Sequence, residues 1–204
     1  MNLDRLRRAE KDFLFQFPGG FDDPQIKAVA RKHNVPRMIE FCQSSFASDR
    51  FVHTGQVVDD MVTAVSRSSM VSMFEKPKFR DFVKGLTVDD RAFLVQALRD
   101  RLHGDEQMGF EMLVDLLATG KLAKWSLVSI IPMYFRPVDE VFVKPTTAKK
   151  IVTQLEIGEL QYNPRPSWAF YRVFRERINE MKAAVDPSLS PNSAAFTGFL
   201  MMSL

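Results

Sequence analysis

Apolar residues recur at three- and four-residue spacing along almost the whole chain, and Pro, Gly and capping residues interrupt them at short intervals. That pattern buries one stripe of a helix and cannot bury one face of a strand. Strict apolar–polar alternation, the mark of a half-buried strand, is not sustained anywhere. The clearest helix runs from Thr87 to Leu102. Thr87 is placed to cap it, Asp89 and Asp90 meet its positive end, Phe93, Leu94, Ala97 and Leu98 form its apolar stripe, and Gly104 ends it.

The same signals mark the other elements. Leu3, Leu6, Phe13 and Phe17 keep helical spacing up to the Pro18-Gly19-Gly20 break, and Asp23-Pro24 opens a helix ending near His33-Asn34. Val35-Pro36 starts another to about Ala47, Gln56 to Ser68 continues the pattern, and Pro77 opens or kinks the next. Asp105 to Ala118 follows with a stop at Gly120, and then Trp125 to Tyr134. Thr146 or Thr147 is expected to cap a helix to about Leu155, Ser167 one to about Val185, and Ser190-Pro191 to begin a short terminal one. The sum is an all-α, irregular multi-helix bundle of about ten helices, with stacked helical hairpins as the alternative arrangement. With no low-complexity stretch or long linker, it reads as a single domain with a soft division near Gly85.

Composition narrows the chemistry. At 204 residues and 46% hydrophobic, the chain can bury a substantial core, and its net charge of +3 permits anionic partners without requiring them. The one cysteine, Cys42, excludes an internal disulfide and any cysteine-based zinc site, and suits a reducing compartment. No apolar run is long enough to span a bilayer and no secretory signal opens the sequence, so the expectation is a cytoplasmic protein without membrane contact. His33, His53 and His103 have no metal-ligand spacing, and the nucleotide and hydrolase fingerprints are missing, so the sequence points to no metal, cofactor or catalytic residue.

Two segments carry candidate binding chemistry. In the first, Pro145 turns the chain, Thr146 and Thr147 are placed to cap a helix, and Lys144, Lys149 and Lys150 surround its positive end. Cations there oppose the helix dipole, and a bound phosphate or carboxylate would relieve the clash. Arg136 before the segment, and Arg172 and Arg175 after it, are the further cations that could converge, with Trp168 and Tyr171 as aromatic neighbours. The plain alternative is solvated lysines beside a core-facing aromatic stripe. The second segment, Asp23 to Arg37, loosely resembles a helix-turn-helix, with Ala30 and Val35 where the two helices would pack. His33, Glu40 and Pro36 fit that motif poorly, and the alternative is two basic helices on a solvated face.

The order Trp125, Pro132, Arg136-Pro137, Phe142-Val143-Lys144-Pro145, Thr147, Lys150, Tyr162, Trp168 and Tyr171 resembles a helical family of uncharacterised bacterial proteins, over about the last 80 residues. The resemblance implies an intracellular bacterial helical protein and transfers no activity. The functional expectation is a binding or regulatory module for phosphate-bearing partners or nucleic acid, through Lys144, Thr146, Thr147, Lys150, Arg136 and Arg172. The alternatives are an enzyme using those cations on a small anionic substrate, or a homo-oligomer joined through Phe196, Phe199, Leu200, Met201 and Met202. Core burial is the competing reading of that terminal run.

Overall fold

The computed structural model describes residues 1–204 and contains eleven α-helices, three short 3-10 turns and no strand. The helices are α1 (Leu3–Gln16), α2 (Pro24–Arg31), α3 (Val35–Ser45), α4 (Thr54–Arg67), α5 (Glu75–Gly85), α6 (Val88–His103), α7 (Glu106–Thr119), α8 (Trp125–Phe135), α9 (Pro145–Gln154), α10 (Trp168–Ala183) and α11 (Ser193–Ser203). None is long and apolar enough to cross a membrane. The expected caps hold at three starts: Asp23 accepts from Gln25, Thr87 from Asp90 and Ser167 from Phe170; Asp105, expected inside its helix, also caps it by accepting from Met108.

Two expected starts do not hold. Lys144 is the N-cap of α9 and makes no side-chain capping bond, while Thr146 and Thr147 lie inside the first turn. Pro145 explains the shift, because a proline with preset φ and no N–H fits the first helical position and draws the helix start forward of both threonines. At the other end, α11 begins at Ser193 rather than Ser190-Pro191. Asn192 caps it by accepting from Ala195, and Pro187–Leu189 forms a separate 3-10 turn capped by Asp186.

Helix α8 is the axis of the structure, buried at every position from Trp125 to Tyr134. Helices α3, α4, α6 and α7 pack on it, and α1, α9 and α11 pack together in a neighbouring layer. The continuous core runs from Leu6 to Leu200, across residue 85. Helices α6 and α7 form the tightest pair. A Cβ on Gly109 of α7 would lie 2.2 Å from the Arg101 amide nitrogen and 2.6 Å from the Ala97 carbonyl of α6, so only glycine permits that approach.

Residues 136–144 link α8 to α9 without regular structure, yet Glu140, Val141 and Val143 have no solvent exposure. A buried irregular chain must find partners for its own polar groups, and side chains supply them here. Asn179 donates to the Asp139 carbonyl (3.0 Å), and Ser193 Oγ (3.2 Å) and Lys182 Nζ donate to that of Val138. The Val141 N–H donates to the Tyr171 hydroxyl (3.3 Å) and that of Val143 to Ser129 Oγ (3.0 Å). The segment is thereby fixed between α8, α10 and α11.

Candidate functional site

Fixing that segment places Glu140 inside a cluster of charges. Arg101 comes from the last turn of α6, Glu106 from the first turn of α7, Arg136 from the C-cap of α8, and Tyr171 and Arg175 from successive turns of α10. Arg101 grips Glu140 bidentately, with Nη1 3.3 Å from Oε1 and Nη2 still closer to Oε2. Arg175 reaches Glu140 at 2.5 Å and Glu106 at 2.9 Å, and Arg136 reaches them at 3.2 Å and 2.7 Å. The Tyr171 hydroxyl donates to Glu140 at 2.5 Å. Both Arg101 and Arg175 lie over aromatic rings, 5.6 Å and 5.5 Å from the Trp168 ring centre and 5.2 Å and 5.7 Å from that of Tyr171.

The chemistry of this cluster follows from its protonation. Burial pushes the Glu140 carboxyl up, but Arg101 beside it, with Arg175 and the Tyr171 hydroxyl, outweighs burial and holds it below the usual carboxylate range. Burial and the Glu140 charge push the Tyr171 hydroxyl far above its ordinary value. Arginine does not deprotonate. Glu140, Tyr171 and the arginines are therefore locked in one protonation state at neutral pH, which is the opposite of what a general acid or base requires. Two carboxylates occupy the anion positions that three guanidinium groups create. The arrangement ties four helices and the irregular segment together.

The expected anion-site residues divide. Arg136, Trp168 and Tyr171 do come together, around internal carboxylates. Thr147 is buried, whereas Lys144, Thr146 and Arg172 are exposed and Lys150 is half-buried. The side chains of Lys144, Thr146, Lys150 and Arg172 make no hydrogen bond or ion pair, and Lys149 Nζ sits 5.0 Å from the Tyr162 ring centre. Sequence reasoning missed Arg101, Glu106 and Glu140. One signal was available: a glutamate four residues after Arg136, immediately before the apolar Val141-Phe142-Val143 run, needs a partner where that run is buried.

A second, open constellation lies at the corner between α2 and α3. Ile26 is the one buried residue of α2. Lys27 and Arg31 on α2, Lys32 in the turn and Arg37 on α3 are all exposed, and Asn34 closes the turn with a left-handed φ of 48°. Lys27 pairs with Asp22 at 2.8 Å, and the other three cations have no ion pair. Arg67, at the end of α4, lies 5.8 Å from the ring centre of Phe41 on α3 and adds a neighbouring cation. His33 Nδ1 is 2.9 Å from Ser69 Oγ, which anchors the turn to the chain after α4. Helix-turn-helix packing is absent in one respect, because Ala30 is exposed instead of meeting Val35.

Positive charge is in excess at that corner, as it is from Lys144 to Gln154, which holds three lysines and no carboxylate. Pro24 to Ser45 holds four cations against the single carboxylate of Glu40, a net +3 that equals the net +3 of all 204 residues. The remainder of the chain is neutral. No protein-family model, curated protein or solved structure matches the chain.

Proposed function

We propose that this protein is a binding or regulatory module that contacts phosphate-bearing partners. The observation that carries the reading is a division of the cations: Arg31, Lys32, Arg37, Lys144 and Arg172 are exposed and make no ion pair, while the buried ionic groups are engaged with one another. Exposed, unpaired Lys and Arg attract polyanions through counterion release, at no cost in buried charge. The face of Lys144, Lys150 and Arg172 is a second place for the same partner chemistry, favoured by the absence of internal partners for those side chains.

Titration of the protein with inorganic phosphate, polyphosphate and short nucleic acids, at low and moderate salt, tests the reading. Binding that weakens steeply with salt is the expected result. A protein indifferent to all of these probes at low salt would overturn it.

A further inference from the structure

Resting on the reading of a phosphate-bearing partner, we infer that the α2–α3 corner is a docking surface for the backbone of double-stranded nucleic acid. Three features of the corner select this partner. The first is its shape and exposure. Helix α2 spans eight residues and buries only Ile26, so it offers solvent the other seven along a helical rod of roughly 12 Å. Its exposed surface is not a packing surface for the rest of the chain.

The second is charge geometry. Arg31, Lys32 and Arg37 lie on both sides of one tight turn, with Lys27 a helical turn before Arg31 and Arg67 beside α3. A duplex presents about one negative charge per 1.7 Å of axis, so a corner of this size faces several phosphates at once. Arginine and lysine meet phosphate by direct charge-assisted hydrogen bonds, and the His33-Asn34 turn adds polar groups between them.

The third is what the corner lacks. Sites for single strands use exposed aromatic rings as stacking platforms, and the only aromatic of α2 and α3, Phe41, is half-buried under Arg67. An in-plane membrane helix needs a continuous apolar face. The apolar exposure of α2 is confined to Ala28, Val29 and Ala30, and its largest member, Val29, has Gln25 one turn before it and Lys32 and His33 one turn after it. Because Ala30 does not pack against α3, the pair does not present the rigid recognition helix of a sequence reader. The contact is therefore to backbone and shape.

The experiment is fluorescence anisotropy with a labelled random-sequence duplex, the matching single strand and anionic phospholipid vesicles, at several salt concentrations. Polyphosphate serves as a probe of simple anion binding. The proteins are the wild type and three triple variants: R31Q/K32Q/R37Q at the corner, R7Q/R8Q/K11Q on α1, and K144Q/K150Q/R172Q on the α9–α10 face. The α1 variant removes an equal charge from elsewhere. All the corner substitutions are at exposed positions, so an unchanged thermal midpoint verifies that folding is intact.

The wild type should prefer the duplex, with a log–log salt slope of about −3 to −4 for some four phosphate contacts. The corner variant should lose affinity by about tenfold to a hundredfold and its slope should flatten by about 2 to 3, with a much smaller loss for the α1 variant. Equal losses from the corner and α1 variants would reduce the effect to net charge and overturn the assignment. Loss confined to the α9–α10 variant would overturn it too, while leaving the phosphate-partner reading in place. Binding to polyphosphate, single strand or vesicles in preference to duplex would likewise remove the duplex and keep the anionic partner. No response to any probe would remove both.

Discussion

A carboxylate with no solvent exposure, such as Glu140, persists in its charged form only where donors replace its lost hydration. Arg101, Arg136, Arg175 and Tyr171 supply them, and removing the charge leaves fully buried Arg101 facing a neutral amide. E140Q is expected to lower unfolding free energy by about 3–5 kcal/mol, read from urea unfolding of both proteins. A loss below about 1 kcal/mol would mean that the cluster behaves as an ordinary surface pair. The pH dependence has a definite sign. The folded-state pKa of Glu140 lies below its ordinary value of 4.5, so its contribution is complete above that value and disappears as pH falls through the folded one. The wild-type unfolding midpoint should therefore fall more steeply than that of E140Q as the solution is acidified below about pH 4. Y171F tests the neutral part of the cluster. It removes the donor to Glu140 and the acceptor for the Val141 N–H, and should cost about 1–3 kcal/mol.

At the scale of elements, the α6–α7 pair depends on a residue with no side chain. In G109A the new methyl would meet backbone atoms of Arg101 and Ala97, which have no rotamer to yield, so the helices must separate. The expected cost is at least about 1–3 kcal/mol from overpacking. Separation would also disturb the cluster, because Arg101 and Glu106 stand at the two ends of the α6–α7 turn. A lowered thermal midpoint with unchanged helix content by circular dichroism is the expected measurement, and an unchanged midpoint would deny the close approach. Such elements were legible in the sequence wherever a local signal set them: Asp23-Pro24, Thr87 with Asp90, and Ser167 all act through bonds within one turn. The Lys144–Thr147 start was misread because two threonines and a proline each offer a local signal, and Pro145 prevails by fitting the first helical position, which leaves both threonines inside the first turn. The Arg101–Glu140 cluster was less accessible still, since contacting members are separated by as many as 69 positions, from Glu106 to Arg175, and meet only after the irregular segment is threaded between α8 and α10.

For the molecule as a whole, the sequence leaves the closing apolar run with two uses, as core or as an interface between copies. Phe196, Phe199 and Leu200 are fully buried within the chain itself, whereas Met201 and Met202 remain about half exposed. The Phe199 ring meets Phe13 of α1 edge-on, with centres 5.3 Å apart, and α11 also packs on α9. Ser193 of the same helix donates to the Val138 carbonyl and accepts from Lys182, so α11 also closes the far end of the buried 136–144 segment. Removal of Phe199 to Leu204 would thus uncover the inner faces of α1 and α9, and each large apolar side chain lost from such a core costs about 2–5 kcal/mol. Two such losses approach the 5–15 kcal/mol that holds a typical domain together. The truncated protein should lose cooperative thermal unfolding and near-ultraviolet circular dichroism while keeping part of its helix signal. M201Q/M202Q, which alters only the exposed residues, should keep the full transition. If the truncated chain instead unfolds cooperatively as a monomer where the intact chain is an oligomer, the terminal helix serves assembly, and the core must close without it.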